Sequence, residues 1–251
     1  MNYYPSVLVV VAVLAIWEIA SDALAIPSFI LPAPSSILVV LFTRNINWLP
    51  HIAVTLYEVM GGFILSVIVG IPLSFAIAYS DWINRAIYPL ILAIQVVPKV
   101  ALAPILFIII GFGDTPRILV VLLTAFFPII INTVAGLNSL DPDFVELLRS
   151  EGATKSQVFV WGRFPSALPS IFSGLKVAIT LAVVGAVVAE FVASSAGLGY
   201  ILLQALYQLG TVTAFIALLW LTIMGYGVFV LLEAFERAAI PWYIKSKQAR
   251  T

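Results

Sequence analysis

Six long apolar stretches restrict the fold of this chain more than any other feature. Each is about 20 residues long, which as a helix is enough to cross the hydrocarbon core of a bilayer. Lipid cannot satisfy free backbone groups, and the stretches are too long for barrel strands, so we expect helices. The sequence predicts an all-α membrane protein whose residues 1–251 form a single domain with six transmembrane helices. The predicted spans are Ser6–Ala25, Tyr57–Tyr79, Ala86–Ile110, Arg117–Leu137, Ile171–Ala193 and Ala214–Leu232.

The composition excludes several other classes of protein. Charged residues make up 10% of the chain, whereas soluble domains contain about 25%. A net charge of zero, without a run of basic residues, argues against a nucleic-acid-binding protein. The absence of cysteine and the single histidine, His51, leave no residues for disulfides, thiol chemistry or a metal cluster. The N-terminal segment has neither a basic n-region nor a cleavage site, so we expect it to remain as a helix.

A polar segment, residues 138–170, separates the fourth and fifth predicted spans. Asp141 and Pro142 are typical of a helix start, as the N-cap and the first helical residue. This first helix is expected to stop at Gly152, which can adopt the left-handed conformation of a helix end. The segment holds 7 of the 24 charged residues, namely Asp141, Asp143, Glu146, Arg149, Glu151, Lys155 and Arg163.

A second short helix is predicted directly after the first. Thr154 and Gln157 match a capping box, and the helix should continue to about Trp161. Gly162, Pro165 and Pro169 are expected to end it before the fifth span. Its apolar residues, Val158, Phe159, Val160 and Trp161, either dock on a partner or pack against the inner helix ends of the chain itself.

Basic residues predict the orientation of the chain, because cytoplasmic loops of membrane proteins are enriched in Lys and Arg. A cytoplasmic N-terminus places Arg44 and Arg117 outside and both termini and the polar segment inside. It places eight basic residues inside: Arg85, Arg149, Lys155, Arg163, Arg237, Lys245, Lys247 and Arg250.

Small residues recur at every fourth position in two spans. Such rows allow helix backbones to approach closely, either inside the bundle or at a dimer seam or moving interface. The rows are Gly62, Ser66, Gly70, Ser74 and Ala78 in the second span, and Ser170, Gly174, Ala178, Ala182 and Ala186 in the fifth, where Glu190 continues the row. Outside the spans, Ser35–Thr43 is either a short interfacial helix or a packed loop.

The third predicted span carries polar and helix-breaking residues and is interpreted as part of a translocation path. Gln95, Pro98, Lys99 and Pro104 fall within one stretch, and irregular membrane backbone is tolerated where it lines a cavity. A charge at membrane depth marks a cavity or a buried pair. Lys99 could therefore form an ion pair with Glu190, Glu58 or Glu18, contact a solute or snorkel. The path candidates are Gln95, Lys99 and Glu190.

The polar segment resembles the signature of binding-protein-dependent ABC importer permeases, which reads EAA, three residues, Gly, nine residues, Ile, one residue and Leu-Pro. The aligned positions here are Glu146-Leu147-Leu148, Gly152, Gly162 and Phe164-Pro165. Glu146, Gly152 and Pro165 match, while the remaining positions are replaced. The stretches ILPAPSSIL, KVALAPILFIIIGFGDTPRI, FFPIIINTVAGL and AEFVASSAGLGYIL are similar to permeases of the nitrate/sulfonate/taurine type.

This resemblance implies a type I ABC importer permease fold in a prokaryotic inner membrane. The polar segment would be the coupling helix, and the implied partners are ABC ATPase subunits, an extracytoplasmic solute-binding protein, a second permease copy and membrane lipid. The residues implied to couple to the ATPase are Glu146, Leu147, Leu148, Gly152, Ala153, Val158, Phe159, Trp161 and Pro165. The stretch from Pro98 to Pro104 resembles the branch for vitamin precursors such as hydroxymethylpyrimidine or riboflavin.

The sequence also weighs against an enzyme and leaves two rival functions open. No phosphate-binding G-x-x-x-x-G-K-[ST] loop occurs, so ATP and Mg²⁺ are expected on the ATPase subunit, and no catalytic residues or cofactors are expected in this chain. A stand-alone secondary transporter would require inverted repeats and embedded carboxylates, which the sequence does not show. A non-transport scaffold fits poorly with broken helices and Lys99.

Overall fold

The computed structural model describes residues 4–43 and 46–243, and it is helical through most of this range. Arg44, Lys245, Lys247 and Arg250, which entered the orientation argument, lie outside the described residues. The helices are α1 Tyr4–Ala23, α2 Pro34–Thr43, α3 Trp48–Tyr79, α4 Asp81–Ile94, α5 Lys99–Ile110, α6 Asp114–Leu137, α7 Pro142–Ser150, α8 Lys155–Gln157, a π-helical segment Val158–Arg163, α9 Phe164–Ala193, α10 Leu198–Tyr207 and α11 Thr211–Ala239.

Five of the six predicted membrane spans are confirmed as single helices, and the third span is a bent pair of helices. Five helices are long and apolar enough to cross a bilayer, and α4 with α5 supplies a sixth span if the two count as one. The third span, predicted over Ala86–Ile110 with helix-breaking residues, is divided into α4 and α5, which meet at an angle of 95°. The break falls at residues 95–98, where Pro98 lacks an N–H group and precedes the first residue of α5.

Helix α6 forms the centre of the bundle and packs most extensively against α9 and α3. The small residues of α3 allow this approach: a Cβ added at Gly62 would lie 2.4 Å from the Cβ of Val121. On α9, a Cβ added at Gly174 would lie 2.7 Å from the Cβ of Asn132. The rows of small residues therefore serve packing inside the bundle, which was one of their two interpretations.

The short apolar helices and α1 lie around this centre. Helix α2 confirms the predicted helix at Ser35–Thr43, whereas α10 was not predicted. Trp17 of α1 contacts Phe215 of α11, with ring centroids 5.4 Å apart. Most side chains of α1 are exposed in the isolated chain, as expected for a peripheral helix in lipid.

Candidate functional site: a polar insert and a membrane-depth cavity

The polar insert, residues 138–170, begins with the helix that the sequence predicts. The Asp141 carboxylate accepts a hydrogen bond from the backbone N–H of Asp143 at 2.9 Å. Pro142 is the first residue of α7, where its missing N–H costs nothing. The chain then turns at Gly152, whose φ of +87° lies in the region that favours glycine. Both predicted ends of this helix are confirmed.

The second helix of the insert starts as predicted but does not end before the fifth span. Thr154 and Gln157 form the reciprocal capping box. The helix then passes through the π-helical segment into α9, giving one helix from Lys155 to Ala193. The expectation that Gly162, Pro165 and Pro169 end it was wrong.

The π-helical segment explains how the helix continues past the first proline. A proline ring clashes with the carbonyl group four residues earlier in a regular α-helix. Here the N–H of Phe164 donates to the carbonyl of Phe159, five residues earlier, so the helix is widened just before Pro165. Pro165 is then at the start of the following α-helical register, where it is tolerated.

The apolar residues of the second helix divide between the interior and the surface. Val158 is buried, in agreement with the alternative of internal packing. Phe159 packs edge-on against Phe75 and Tyr79, with ring centroids 5.8 and 5.6 Å apart. Trp161, in contrast, is 79% exposed. Internal packing therefore applies to Val158 and Phe159, whereas the exposed Trp161 leaves docking on a partner as a prediction.

The first helix of the insert packs on the second through a glycine. Gly162 is buried, and a Cβ added there would lie 3.1 Å from Leu140 Cδ2 and 3.6 Å from Leu148 Cδ1. Leu148 is thus partly internal, as are Ala153 and Pro165, whereas Glu146 is exposed. The outer surface of α7 presents two large apolar side chains, Leu147 and Phe144, the second of which the sequence argument missed.

A cavity of about 380 Å³ lies at the break between α4 and α5. Both Gln95 and Lys99 face it, as the translocation-path interpretation requires. The Lys99 Nζ donates to the carbonyl of Gln95 and lies 4.7 Å from the ring centroid of Phe127. The residues that line it include Gln95, Lys99, Thr124, Phe127, Asn132 and Val184.

The three acids expected as ion-pair partners of Lys99 are engaged elsewhere. Glu58 forms an ion pair with Arg117, with 2.6 Å between oxygen and nitrogen. Glu18 accepts hydrogen bonds from the backbone and hydroxyl of Ser35. No carboxylate of the described residues lies within 4.0 Å of the Lys99 ammonium group, so the ion-pair interpretation was wrong.

Glu190 is buried at the N-terminus of α10 rather than beside Lys99. Its Oε2 accepts hydrogen bonds from the backbone N–H groups of Gly199 at 2.5 Å and Tyr200 at 3.1 Å. Its Oε1 accepts one from the hydroxyl of Thr55 at 2.6 Å. These contacts tie α9 to α3 and to the first turn of α10.

Two polar residues of the cavity were missed by the sequence argument. Thr124 and Asn132 lie on α6 and line the cavity together with Lys99. The Asn132 amide donates to the carbonyl of Pro128 at 2.9 Å, which leaves its oxygen as an acceptor. The available signal was an asparagine inside an apolar span, since polar residues at membrane depth are by default functional candidates.

Comparison with known proteins identifies the family. The model of the family described as "Binding-protein-dependent transport system inner membrane component" matches residues 62–241. The formylaminopyrimidine transport permease protein ThiX of Halalkalibacterium halodurans is 35% identical over 232 residues, covering 91% of this chain and 92% of that protein. The riboflavin transport system permease protein RibX of Chloroflexus aurantiacus is 32% identical over 232 residues, covering 91% and 86%.

The fold agrees with a solved structure of the same kind. A chain from the inward-facing MetNI methionine ABC transporter superposes with a TM-score of 0.67 at 19% identity, covering 78% of this chain and 99% of that one. The alternative of a stand-alone secondary transporter is not supported by any of these matches. The chain therefore belongs to the binding-protein-dependent transport system inner membrane components and is a permease subunit of an ABC transporter.

Proposed function

We propose that two copies of this chain form the pore of an importer, with one ATPase subunit docked on each polar insert. ATP and Mg²⁺ bind to the ATPase, and an extracytoplasmic binding protein delivers the solute. The termini and the insert lie in the cytoplasm, in agreement with the bias of basic residues. A homodimer is favoured because one chain supplies one insert, while two ATPases need two.

The observation that carries this proposal is the continuity between the insert and the membrane bundle. The helix that starts at Lys155 in the insert continues to Ala193. The surface of the insert carries three exposed apolar side chains, Phe144, Leu147 and Trp161. Side chains of this kind become buried when they bind in an apolar groove of a partner. A movement of that partner would therefore act directly on a spanning helix.

Trp161→Ala tests the docking surface, with Trp82→Ala as the matched control. The two tryptophans are 79% and 76% exposed, but only Trp161 lies in the insert. Removal of a central aromatic anchor from an interface costs 2 kcal/mol or more, which corresponds to about 30-fold in affinity. We expect Trp161→Ala to lower co-purification of the ATPase and solute-stimulated ATP hydrolysis in proteoliposomes, and Trp82→Ala to preserve both. Equal ATPase binding by the two variants would contradict the docking proposal.

The cavity at Lys99 is proposed as a contact point for the solute. The ammonium group of Lys99 has no carboxylate partner among the described residues. Gln95 and Asn132 contribute amide groups to the same cavity. This set suits a small polar solute that carries hydrogen-bond acceptors, as a sulfonate or nitrate-like anion or a vitamin-precursor heterocycle does. Relatives named for formylaminopyrimidine and riboflavin favour the heterocycle.

Lys99→Met and Lys99→Arg distinguish a solute contact from a purely structural lysine. A hydrogen bond to a charged group contributes about 1.5–3 kcal/mol, so its loss should lower uptake by about tenfold or more. We expect Lys99→Met to lose uptake of radiolabelled formylaminopyrimidine or riboflavin and Lys99→Arg to retain part of it. Unchanged kinetics in a normally folded Lys99→Met variant would remove Lys99 from the path.

A further inference from the structure

A second cavity, of about 130 Å³, lies between the polar insert and the junction of α3 with α4. Three cationic side chains line it: Arg149 at the end of α7, Lys155 at the start of α8 and Arg163 at the end of the π-helical segment. Asp81 is the one acidic residue among the lining residues. We refer to this cavity as the basic cleft.

The cations of the basic cleft outnumber its single carboxylate, that of Asp81, by three to one. Within residues 4–43 and 46–243, no carboxylate forms an ion pair with Arg149, Lys155 or Arg163. Arg163 donates to the carbonyl of Ala78 at a long 3.5 Å, and the Lys155 ammonium lies 4.9 Å from the ring centroid of Tyr79. Three cations against the one carboxylate of Asp81 leave an excess of positive charge at the cavity, which a bound anion would offset.

The basic cleft also lies at a boundary of the membrane. Helix α3 ends at Tyr79 and α4 begins at Asp81, so the cleft is level with the ends of two apolar helices. Tyr79 and Trp82, at this same level, are exposed aromatic residues, which is typical of the depth of lipid headgroups. Basic pockets at this depth meet the phosphate groups of anionic lipids.

We propose that the basic cleft binds a phosphate group, carried either by an anionic lipid headgroup or by free phosphate. Arginine presents a planar fork of donors that matches two oxygens of a phosphate, and Lys155 adds a point charge. The cavity volume, about a third of that at Lys99, suits a headgroup-sized anion rather than a bulky solute. The site is separate from the proposed solute contact and does not depend on it.

The test uses the full chain purified in detergent and in phosphatidylcholine nanodiscs doped with phosphatidylglycerol. The variants are Arg149→Gln, Lys155→Gln and Arg163→Gln, singly and combined. Arg85→Gln is the matched control, because Arg85 is an exposed cation on α4 outside the cleft. Native mass spectrometry counts the phosphatidylglycerol molecules retained, and thermal unfolding in detergent is measured against added inorganic phosphate. Each lost cation should weaken retention about fivefold, while Arg85→Gln should match the wild type.

Two results would support the site and separate its sources. Retention of phosphatidylglycerol that is lost in the combined variant identifies a lipid headgroup, whereas stabilisation by inorganic phosphate alone, lost in the same variant, identifies a free anion. The single variants keep the test valid if the combined variant does not fold. The proposal is overturned if the variants and the wild type retain phosphatidylglycerol equally and phosphate stabilises none of them. It is also overturned if the variants lose only the ATPase, since the cleft would then hold a carboxylate of that partner.

Discussion

Glu190 should be among the most sensitive single positions for stability, because a buried carboxylate holds the start of α10. Two backbone N–H groups, those of Gly199 and Tyr200, donate to it. A hydrogen bond to a charged group contributes about 1.5–3 kcal/mol, so Glu190→Ala should cost about 3–6 kcal/mol for the two. The Thr55 hydroxyl adds little to this sum, because it can turn to the carbonyl of His51, 3.2 Å away.

Glu190→Gln separates the hydrogen bonds from the shape of the side chain. The amide keeps the volume and an oxygen for the two backbone N–H groups, and its NH₂ group can donate to the Thr55 hydroxyl once that hydroxyl turns to His51. The two backbone bonds then go to a neutral group, which contributes about 0.5–1.5 kcal/mol per bond instead of 1.5–3, so we expect a cost of about 2–3 kcal/mol. The order of stability should therefore be wild type, then Glu190→Gln, then Glu190→Ala.

Denaturant unfolding of the chain in detergent measures this order, and hydrogen exchange at Gly199 and Tyr200 locates the change. Glu146→Gln is the control, since Glu146 is an exposed acid without an ion pair among the described residues. Surface changes of this kind are usually within about 0.5 kcal/mol of the wild type. If Glu190→Ala also unfolds within that range, the carboxylate does not stabilise the start of α10.

Two further substitutions test the bundle, both by the same unfolding measurement. Gly62→Ala should push α3 away from α6 and lower the free energy of unfolding by about 1–3 kcal/mol through overpacking. Gly227→Ala is the control and should leave stability unchanged, because a Cβ added there meets open space. Equal stabilities of the two variants would refute the close approach of α3 and α6. Arg117→Met leaves the buried Glu58 carboxylate unpaired and should cost about 3–5 kcal/mol. Adding Glu58→Gln should recover part of that loss, and no recovery would show that the pair is not the cause.

The spans could be predicted because crossing a bilayer imposes a length and a composition on each helix. The consequences of individual prolines could not, because they depend on the neighbouring backbone. Pro72 and Pro128 lie inside continuous helices, whereas the chain breaks before Pro98. At Pro165 a widened turn accommodates the ring, and no local pattern distinguishes this outcome from a helix end.

The partners of buried charges could not be predicted from the sequence either. Periodicity shows which residues share a helix face, but it does not show which helices are neighbours. Arg117 was treated as a residue of the outside region, yet it pairs with Glu58, 59 positions earlier. Lys99, for which an ion pair was considered, contacts the ring of Phe127 rather than a carboxylate. Asn132 stands out in the sequence as a polar residue of an apolar span, but its place in the cavity depends on α6 lying beside the break between α4 and α5.

The unbroken helix from Lys155 to Ala193 has a mechanical consequence. At 1.5 Å per residue its 39 residues form a rod about 58 Å long. A continuous helix embedded in a bundle would act as a lever if it moved as one body, so that a tilt imposed at its insert end displaced the other end in the opposite direction. The pair α4 and α5, bent by 95°, cannot transmit a push along its axis in this way. The proposed roles of force transmission and solute contact would thus fall on different helices of the same chain.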